Sequence, residues 1–365
     1  MYQANWKRAV IKVGSSLIAP NNNQCSQEYL GPIAEFISTS RKQGKQVILV
    51  SSGSVAAGRG KIRHKHRPSI TEKQAMAAIG QTQMMANWAG LFDFDCAQML
   101  LTSDDLHNRS RYVNIKNTLR ELLKNHALPI VNENDTVAIN ELKVGDNDNL
   151  AAYTALVAEA DTLIICSDIN GLYDADPRYN TNAQLIPEVA TIDSRIYQLA
   201  GGAGSDMGTG GMQTKIQAAQ KCVDSGIQTL IVNGRDKNVF TELAKGRSPG
   251  TLFIPNKSLD NARDNWLRHT LKAKGSIEID QGAQQALLQH GASLLPSGII
   301  KVSGQFSSGE AVNITYNNTA IAKGIVLYGA TDLAAIKGLN SQNIEASLGY
   351  FLGEVAIHRD DLVLL

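Results

Sequence analysis

Residues 208–215 read GTGGMQTK, a glycine cluster ending in a lysine. Glycines accept positive φ and bring bare backbone amides close to a ligand. Met212, Ile216, Ala219, Cys222 and Val223 mark one helical face just downstream, so the spacing predicts a helix opening at this loop. The free N–H groups and positive dipole end of such a helix attract phosphate, and Lys215 adds a mobile cation. The spacing is not that of a Walker loop, because Lys215 stands four residues after Gly211 and Ile216 follows it. On these eight residues alone, a phosphate cradle and a loop that merely caps a helix both stay open.

A second polar cluster lies in KVGDNDNLAA, residues 143–152, where Asp146, Asn147 and Asp148 form a turn before an apolar helix. A calcium loop does not fit, since no glycine or terminal glutamate falls at the needed spacing. Asp and Asn cap helices well, but a cap needs one such residue and not three, which favours a ligand or catalytic role. Other polar features have plainer readings. RGKIRHKHRPS (59–69) reads as a solvated basic loop near an anionic substrate rather than a nucleic-acid patch, with His64 and His66 facing solvent. Met76, Met84, Met85 and Trp88 read as core or a dimer seam. Cys25, Cys96, Cys166 and Cys222 are scattered, without the close pairs of metal ribbons or dithiol sites.

These residues must be positioned by repeating elements. Short β-branched runs occur at 9–13, 46–50, 128–132, 162–167 and 228–233, separated by helical patterns at 29–42, 72–92 and 150–160. The alternation predicts an α/β domain: a doubly wound, mainly parallel open sheet with helices on both faces. Ligands in such sheets gather beyond the carboxyl ends of the strands. The segments that follow the five runs are GSS, SSGSVAAG, ENDTVA, DINGLYDADP and NGRD, nearly all small, polar or acidic. Five such tips at one edge predict a binding site. From about Gly275 the pattern changes to short strands broken by turns, which predicts a second, small β-rich domain.

Composition bounds the function. The 365 residues are 43% hydrophobic and 19% charged, as in soluble globular chains, with a formal charge of +1 that supplies no pull toward nucleic acid or anionic membrane. The start, MYQANWKRAVIKVG, lacks a signal-peptide pattern, and no run reaches membrane-spanning length. A cytoplasmic protein is the expectation.

In order along the chain, KVGSS with Lys12, VSSGSVAAGR (50–59), VNENDTV (131–137), VGDNDNLAA (144–152), SDINGLYDADPR (167–178) and GTGGMQTK resemble the amino acid kinase family. The resemblance runs from about residue 8 to 255, and the β-rich tail is similar to a PUA domain. It implies the amino acid kinase fold over 1–258, a linker at 259–274 and a PUA-like domain at 275–365. It also implies transfer of the ATP γ-phosphoryl group to an oxygen acceptor. The motifs lie nearest the branch acting on the side-chain carboxylate of L-glutamate, at the first step of proline biosynthesis.

That resemblance carries roles onto individual positions. Lys12 and Lys215 would flank the transferring phosphoryl group, with Asp148 holding both lysines in place. Ser52, Gly53, Asn132, Asp135, Asp146 and Asn147 would bind the amino acid. Lys12, Ser167, Asp168, Thr209, Gly210, Gly211, Met212, Gln213, Thr214 and Lys215 would contact ATP. Mg²⁺ would be held mainly by the nucleotide's phosphates. The resemblance further implies proline as feedback inhibitor, a homodimer or homotetramer, and glutamyl-phosphate reductase as partner.

Two other readings stay open: a carbamate, acetylglutamate or uridylate kinase, which the PUA-like tail disfavours, and an RNA-binding or RNA-modifying PUA protein. Charge discriminates against the last. Residues 275–365 hold four Lys/Arg against eight Asp/Glu, and an acidic module of formal charge −4 binds a phosphate backbone poorly.

Overall fold

A computed structural model describes residues 6–21, 24–63, 66–138, 146–201, 211–255 and 272–365. The chain divides into two compact units, Met1–Asp104 with Thr118–Leu259, and Asp105–Asn117 with Asp260–Leu365. The second unit thus takes in a short stretch that the sequence reading assigned to the first domain.

In chain order the elements up to residue 255 are β1 (Arg8–Val13), α1 (Ser15–Ile18), α2 (Leu30–Lys42), β2 (Gln46–Ser51), α3 (Ser54–Gly58) and α4 (Ile70–Ala89). There follow β3 (Cys96–Leu101), α5 (Ser103–His107), α6 (Arg109–Lys124), β4 (Leu128–Glu133), α7 (Asp146–Val157) and β5 (Thr162–Ser167). Then come β6 (Glu188–Val189), α8 (Ser194–Leu199), α9 (Gly211–Asp224), β7 (Gln228–Asn233), α10 (Lys237–Ala244) and β8 (Thr251–Phe253).

Among the described residues the first sheet has eight strands in the order β3-β4-β2-β1-β5-β7-β8-β6. The five expected strands are its centre, all parallel. β3 was not read from the sequence because it is an edge strand: only Met99 and Leu101 of its six residues are buried, so no apolar run marks it. β8 lies antiparallel to β7, which makes the sheet mixed at that side.

Strand parity sorts the side chains into two layers. Ala9, Ile11 and Val13 of β1, Val47 and Leu49 of β2, and Leu128 and Ile130 of β4 share one core with α2, α10 and the end of α4 (Met84, Trp88). The alternate residues Val10, Ile48, Val50 and Val131 are equally buried on the opposite face. A sheet buried on both faces explains why its central strands read as unbroken apolar runs.

α3 and α4 approach at two glycines. A Cβ on Gly58 would lie 1.9 Å from the Met76 carbonyl oxygen, and one on Gly80 would lie 1.9 Å from that of Ser54. Neither contact tolerates a side chain, so the helix backbones touch directly. Met76, Met84 and Trp88 are buried in the core, with Met85 packed half-buried against it.

In the second unit a five-stranded sheet has the order β10-β9-β11-β12-β13, where β9 is Gly275–Ile279, β10 Ile299–Gly304, β11 Ala311–Tyr316, β12 Thr319–Ile325 and β13 Leu362–Leu364. Ile277, Ile279, Val312, Ile314, Tyr328, Leu333 and Ile336 build its core. Helices at Gln281–His290 and Ala330–Ile336 were not read from the sequence. The first had a legible signal: Asp280 accepts from the Ala283 amide at 2.7 Å as N-cap, and Gly291 closes the helix at φ 57°.

Candidate active site

β1, β2, β4 and β5 end at one level. Lys12 stands opposite Val50 and Ile165, and Val50 opposite Val131, so Ser51, Asn132 and Cys166 come next at one level of the carboxyl edge, with Ser167 one residue beyond. Parity then decides where each side chain goes. Lys12 alternates with Ile11 and Val13, so it faces away from the α2–α4 core and toward α7.

There its Nζ lies 2.6 Å from Asp148 Oδ1. Lys215 Nζ reaches Oδ2 of the same carboxylate at 3.0 Å and donates to the Gly211 carbonyl at 2.9 Å. Thr214 Oγ1 also donates to Asp148 Oδ2, at 2.8 Å. Asp148 is 1% exposed and each lysine 6%. Burial raises the carboxyl's pKa, but the two flanking ammonium groups outweigh it and hold Asp148 below the usual carboxylate range. Burial also pulls Lys215 below its ordinary value, against the opposing pull of Asp148. One carboxylate serves two buried cations, which leaves the cluster one positive charge in excess.

The three polar residues read as a turn before a helix lie within the helix. α7 begins at Asp146, so Asn147 and Asp148 occupy its first turn, where the helix dipole favours a carboxylate. The apolar run from Leu150 marked only the later turns, because polar first-turn residues carry no periodic signal.

Asn147, one residue from the lysine cluster, opens a second network. Its Nδ2 donates to Ser52 Oγ and to Asn132 Oδ1, both at 2.9 Å. Its Oδ1 is enclosed and accepts no hydrogen bond among the described residues. Asn132 has the parity of Leu128 and Ile130, so it faces α4, where its Nδ2 donates to Gln81 Oε1 at 2.8 Å. Gln81 was missed in the sequence. The signal was there: a polar residue on the buried face of α4 formed by Met76, Ala77, Gly80, Met84 and Trp88.

Ser54 was missed too; its hydroxyl donates to Asp135 Oδ2 at 2.7 Å. Burial raises the pKa of Asp135, and the Ser54 bond works against it. Gly53 turns the chain from β2 into α3 at φ 97°, and a Cβ there would meet Ile18 Cβ at 2.9 Å. Both facts require glycine.

On the other side of Lys12, Ser167 Oγ donates to Asp168 Oδ1 at 3.2 Å. Asp168 is exposed and pairs loosely with Arg235 at 3.9 Å. Gly211, Met212, Gln213 and Thr214 form the first turn of α9, which opens where the glycine cluster predicted. Thr209 and Gly210, the side chain of Asp146, and His64 lie outside the described residues; His66 is exposed.

Two compartments therefore meet at Asn147 and Asp148: a cationic one facing a helix N-terminus, suited to phosphate, and an amide- and hydroxyl-lined one suited to a small polar acceptor. Residues 7–233 match the model of the amino acid kinase family, and 275–348 match that of the PUA domain. The chain belongs to the amino acid kinase family. Its relatives include proteins named glutamate 5-kinase. Those of Idiomarina loihiensis and Salinibacter ruber are each 51% identical, over 100% and 99% of this chain and 99% and 98% of theirs. That of Geobacter sulfurreducens is 46% identical over 98% of both chains. No described helix is long and apolar enough to cross a membrane.

Proposed function

We propose that the protein transfers the γ-phosphoryl group of ATP to the side-chain carboxylate of L-glutamate, giving L-glutamyl 5-phosphate, the first step of proline biosynthesis. The observation that carries this reading is the buried carboxylate of Asp148 held between Lys12 and Lys215. Both the acceptor and the moving group are anions, so the reaction needs fixed cations on the path between them. Asp148 keeps the two ammonium groups in place, and their excess positive charge is offset when phosphate arrives.

In the step itself a carboxylate oxygen forms a bond to the γ-phosphorus while the bond to the β–γ bridging oxygen breaks. ADP leaves with that electron pair, and no proton is transferred. Lys12 and Lys215 stabilise the charge spread over the phosphoryl oxygens. The first turn of α9, with Thr209 and Gly210 before it, cradles the phosphates, and Ser167 and Asp168 contact the nucleotide. Mg²⁺ supplies further charge neutralisation when bound. The exposed Asp168 carboxylate is an oxygen donor of the type it takes, largely through water. Asn147, Ser52, Gly53, Asn132, Asp135 and Asp146 hold the amino acid, and the enclosed Oδ1 of Asn147 suits its ammonium group.

The same family reading assigns 1–258 to catalysis, 259–274 to a linker and 275–365 to a PUA-like module. It also makes proline the feedback inhibitor of a dimer or tetramer, and glutamyl-phosphate reductase the consumer of a labile acyl phosphate. Incubation with ATP, Mg²⁺ and candidate acceptors, followed by hydroxylamine trapping, tests the activity. A glutamate-dependent hydroxamate is expected; trapping only with another acceptor would reassign the substrate.

A further inference from the structure

We propose that Gln81, on α4, is a positioning residue for acceptor recognition, acting through Asn132 on Asn147. The proposal rests on the assignment of Asn132 and Asn147 to the acceptor compartment. Three primary amides form one chain through the end of β4: Gln81 Oε1 accepts from Asn132 Nδ2 at 2.8 Å, and Asn132 Oδ1 accepts from Asn147 Nδ2 at 2.9 Å. Gln81 and Asn132 are 7% and 1% exposed, so water does not substitute for either partner.

A primary amide offers a donor and an acceptor on nearly identical shapes, and only its neighbours decide which end points where. Gln81 presents its oxygen to Asn132, so Asn132 turns its NH₂ toward α4 and its oxygen toward α7. Asn147 must then give its NH₂ to Asn132 and Ser52, which leaves its Oδ1 as the atom without a hydrogen bond among the described residues. Gln81 thereby sets a residue it does not touch to be an acceptor, the polarity that an ammonium ligand requires.

The placement of Gln81 is built in by its neighbour. Gly80 lets the α4 backbone rest on the Ser54 carbonyl, and α3, which carries Ser54, leads out of the Ser52-Gly53 turn. The glutamine is therefore held at a fixed depth relative to the same loop that supplies Ser52. Its own Nε2 is buried and makes no hydrogen bond among the described residues. An apolar residue of similar volume would avoid that cost, so the glutamine is not explained by packing alone.

The test is a double-mutant cycle on the full chain. Gln81→Met and Asn132→Ala are each expected to raise the KM for glutamate about tenfold, the scale of one buried hydrogen bond, with the KM for ATP within about twofold. The double variant should be no worse than the worse single variant, because Gln81 acts only through Asn132. Gln81→Glu, which keeps an acceptor oxygen, should stay within about threefold of the wild-type glutamate KM. Additive losses in the cycle, or a Gln81→Glu as impaired as Gln81→Met, would overturn the proposal while leaving the acceptor site in place. An unchanged glutamate KM in Asn132→Ala would instead overturn the acceptor-site assignment, and this proposal with it. Should Gln81→Met not fold, Gln81→Glu against Asn132→Ala carries the same comparison.

Discussion

Lys215 and Lys12 share a single carboxylate, and that unequal pairing makes their roles separable by substitution. If Lys215 acts mainly on charge that develops during transfer, Lys215→Met should lower kcat by about 100-fold or more and leave both KM values within a modest factor. Methionine keeps much of the stem, so charge is the main change. Lys215→Arg should recover only part, since a forked guanidinium does not occupy the place of a compact ammonium. Steady-state kinetics with a folded variant decide the matter, and near-normal turnover in Lys215→Met would remove the lysine from catalysis.

Asp148 gives a complementary stability test. Replacing it with Asn leaves two buried ammonium groups without their common partner, for which about 3–5 kcal/mol is expected at pH 7. Its folded pKa lies below the ordinary 3.8, because the two lysines outweigh the effect of burial. The stabilisation is thus fully present above 3.8 and is lost as pH falls through the folded value. Denaturant unfolding of wild type and Asp148→Asn should show a gap that is constant near neutrality and narrows in acid.

At the scale of elements, the contact between α3 and α4 is the one most exposed to small changes. Gly80→Ala places a methyl 1.9 Å from the Ser54 carbonyl oxygen, a distance no relaxation of one side chain can relieve. The helices must separate, at a cost of about 1–3 kcal/mol, and Ser54 and Gln81 move apart with them. Thermal unfolding should report the loss, and the KM for glutamate should rise more than that for ATP. Gly31→Ala, in the first turn of α2 with nothing within 4 Å of the new methyl, is the matched control. It should be neutral or stabilising by up to about 1 kcal/mol. Equal effects at both glycines would mean that helix propensity, and not close approach, governs α4.

For the whole molecule, the assigned catalytic groups all fall at or before Lys215, whereas the tail carries a formal charge of −4. A chain ending near 253–259 is therefore expected to keep phosphoryl transfer. The second unit also includes Asp105–Asn117, where Val113 clusters with Ile325 and Val363 and Lys116 pairs with Asp361. Removing the tail uncovers Val113, so the shortened chain should unfold at a lower temperature even while active. A folded but inactive truncation would contradict this division of labour, as would salt-dependent RNA binding by the intact chain at physiological ionic strength.

The five central strands were legible because each is buried on both faces and reads as an apolar run. The opening of α9 was legible because glycines and a helical stripe adjoin there. β3 was hidden by its exposure at the sheet edge, and the first turn of α7 by its polarity. The sequence by itself determined the ordered motifs, the polar strand tips and hence the family, all of which are local patterns of residue type. Only the tertiary structure decided that Lys12 turns toward α7 and Asn132 toward α4, that two lysines share Asp148, and that Gln81 completes an amide chain. Those outcomes depend on strand register and on a helix crossing at Gly58 and Gly80. Register and crossing join residues from 18 positions apart (Gly58 and Met76) to 153 apart (Lys12 and Ile165), and no local pattern records which of them will meet.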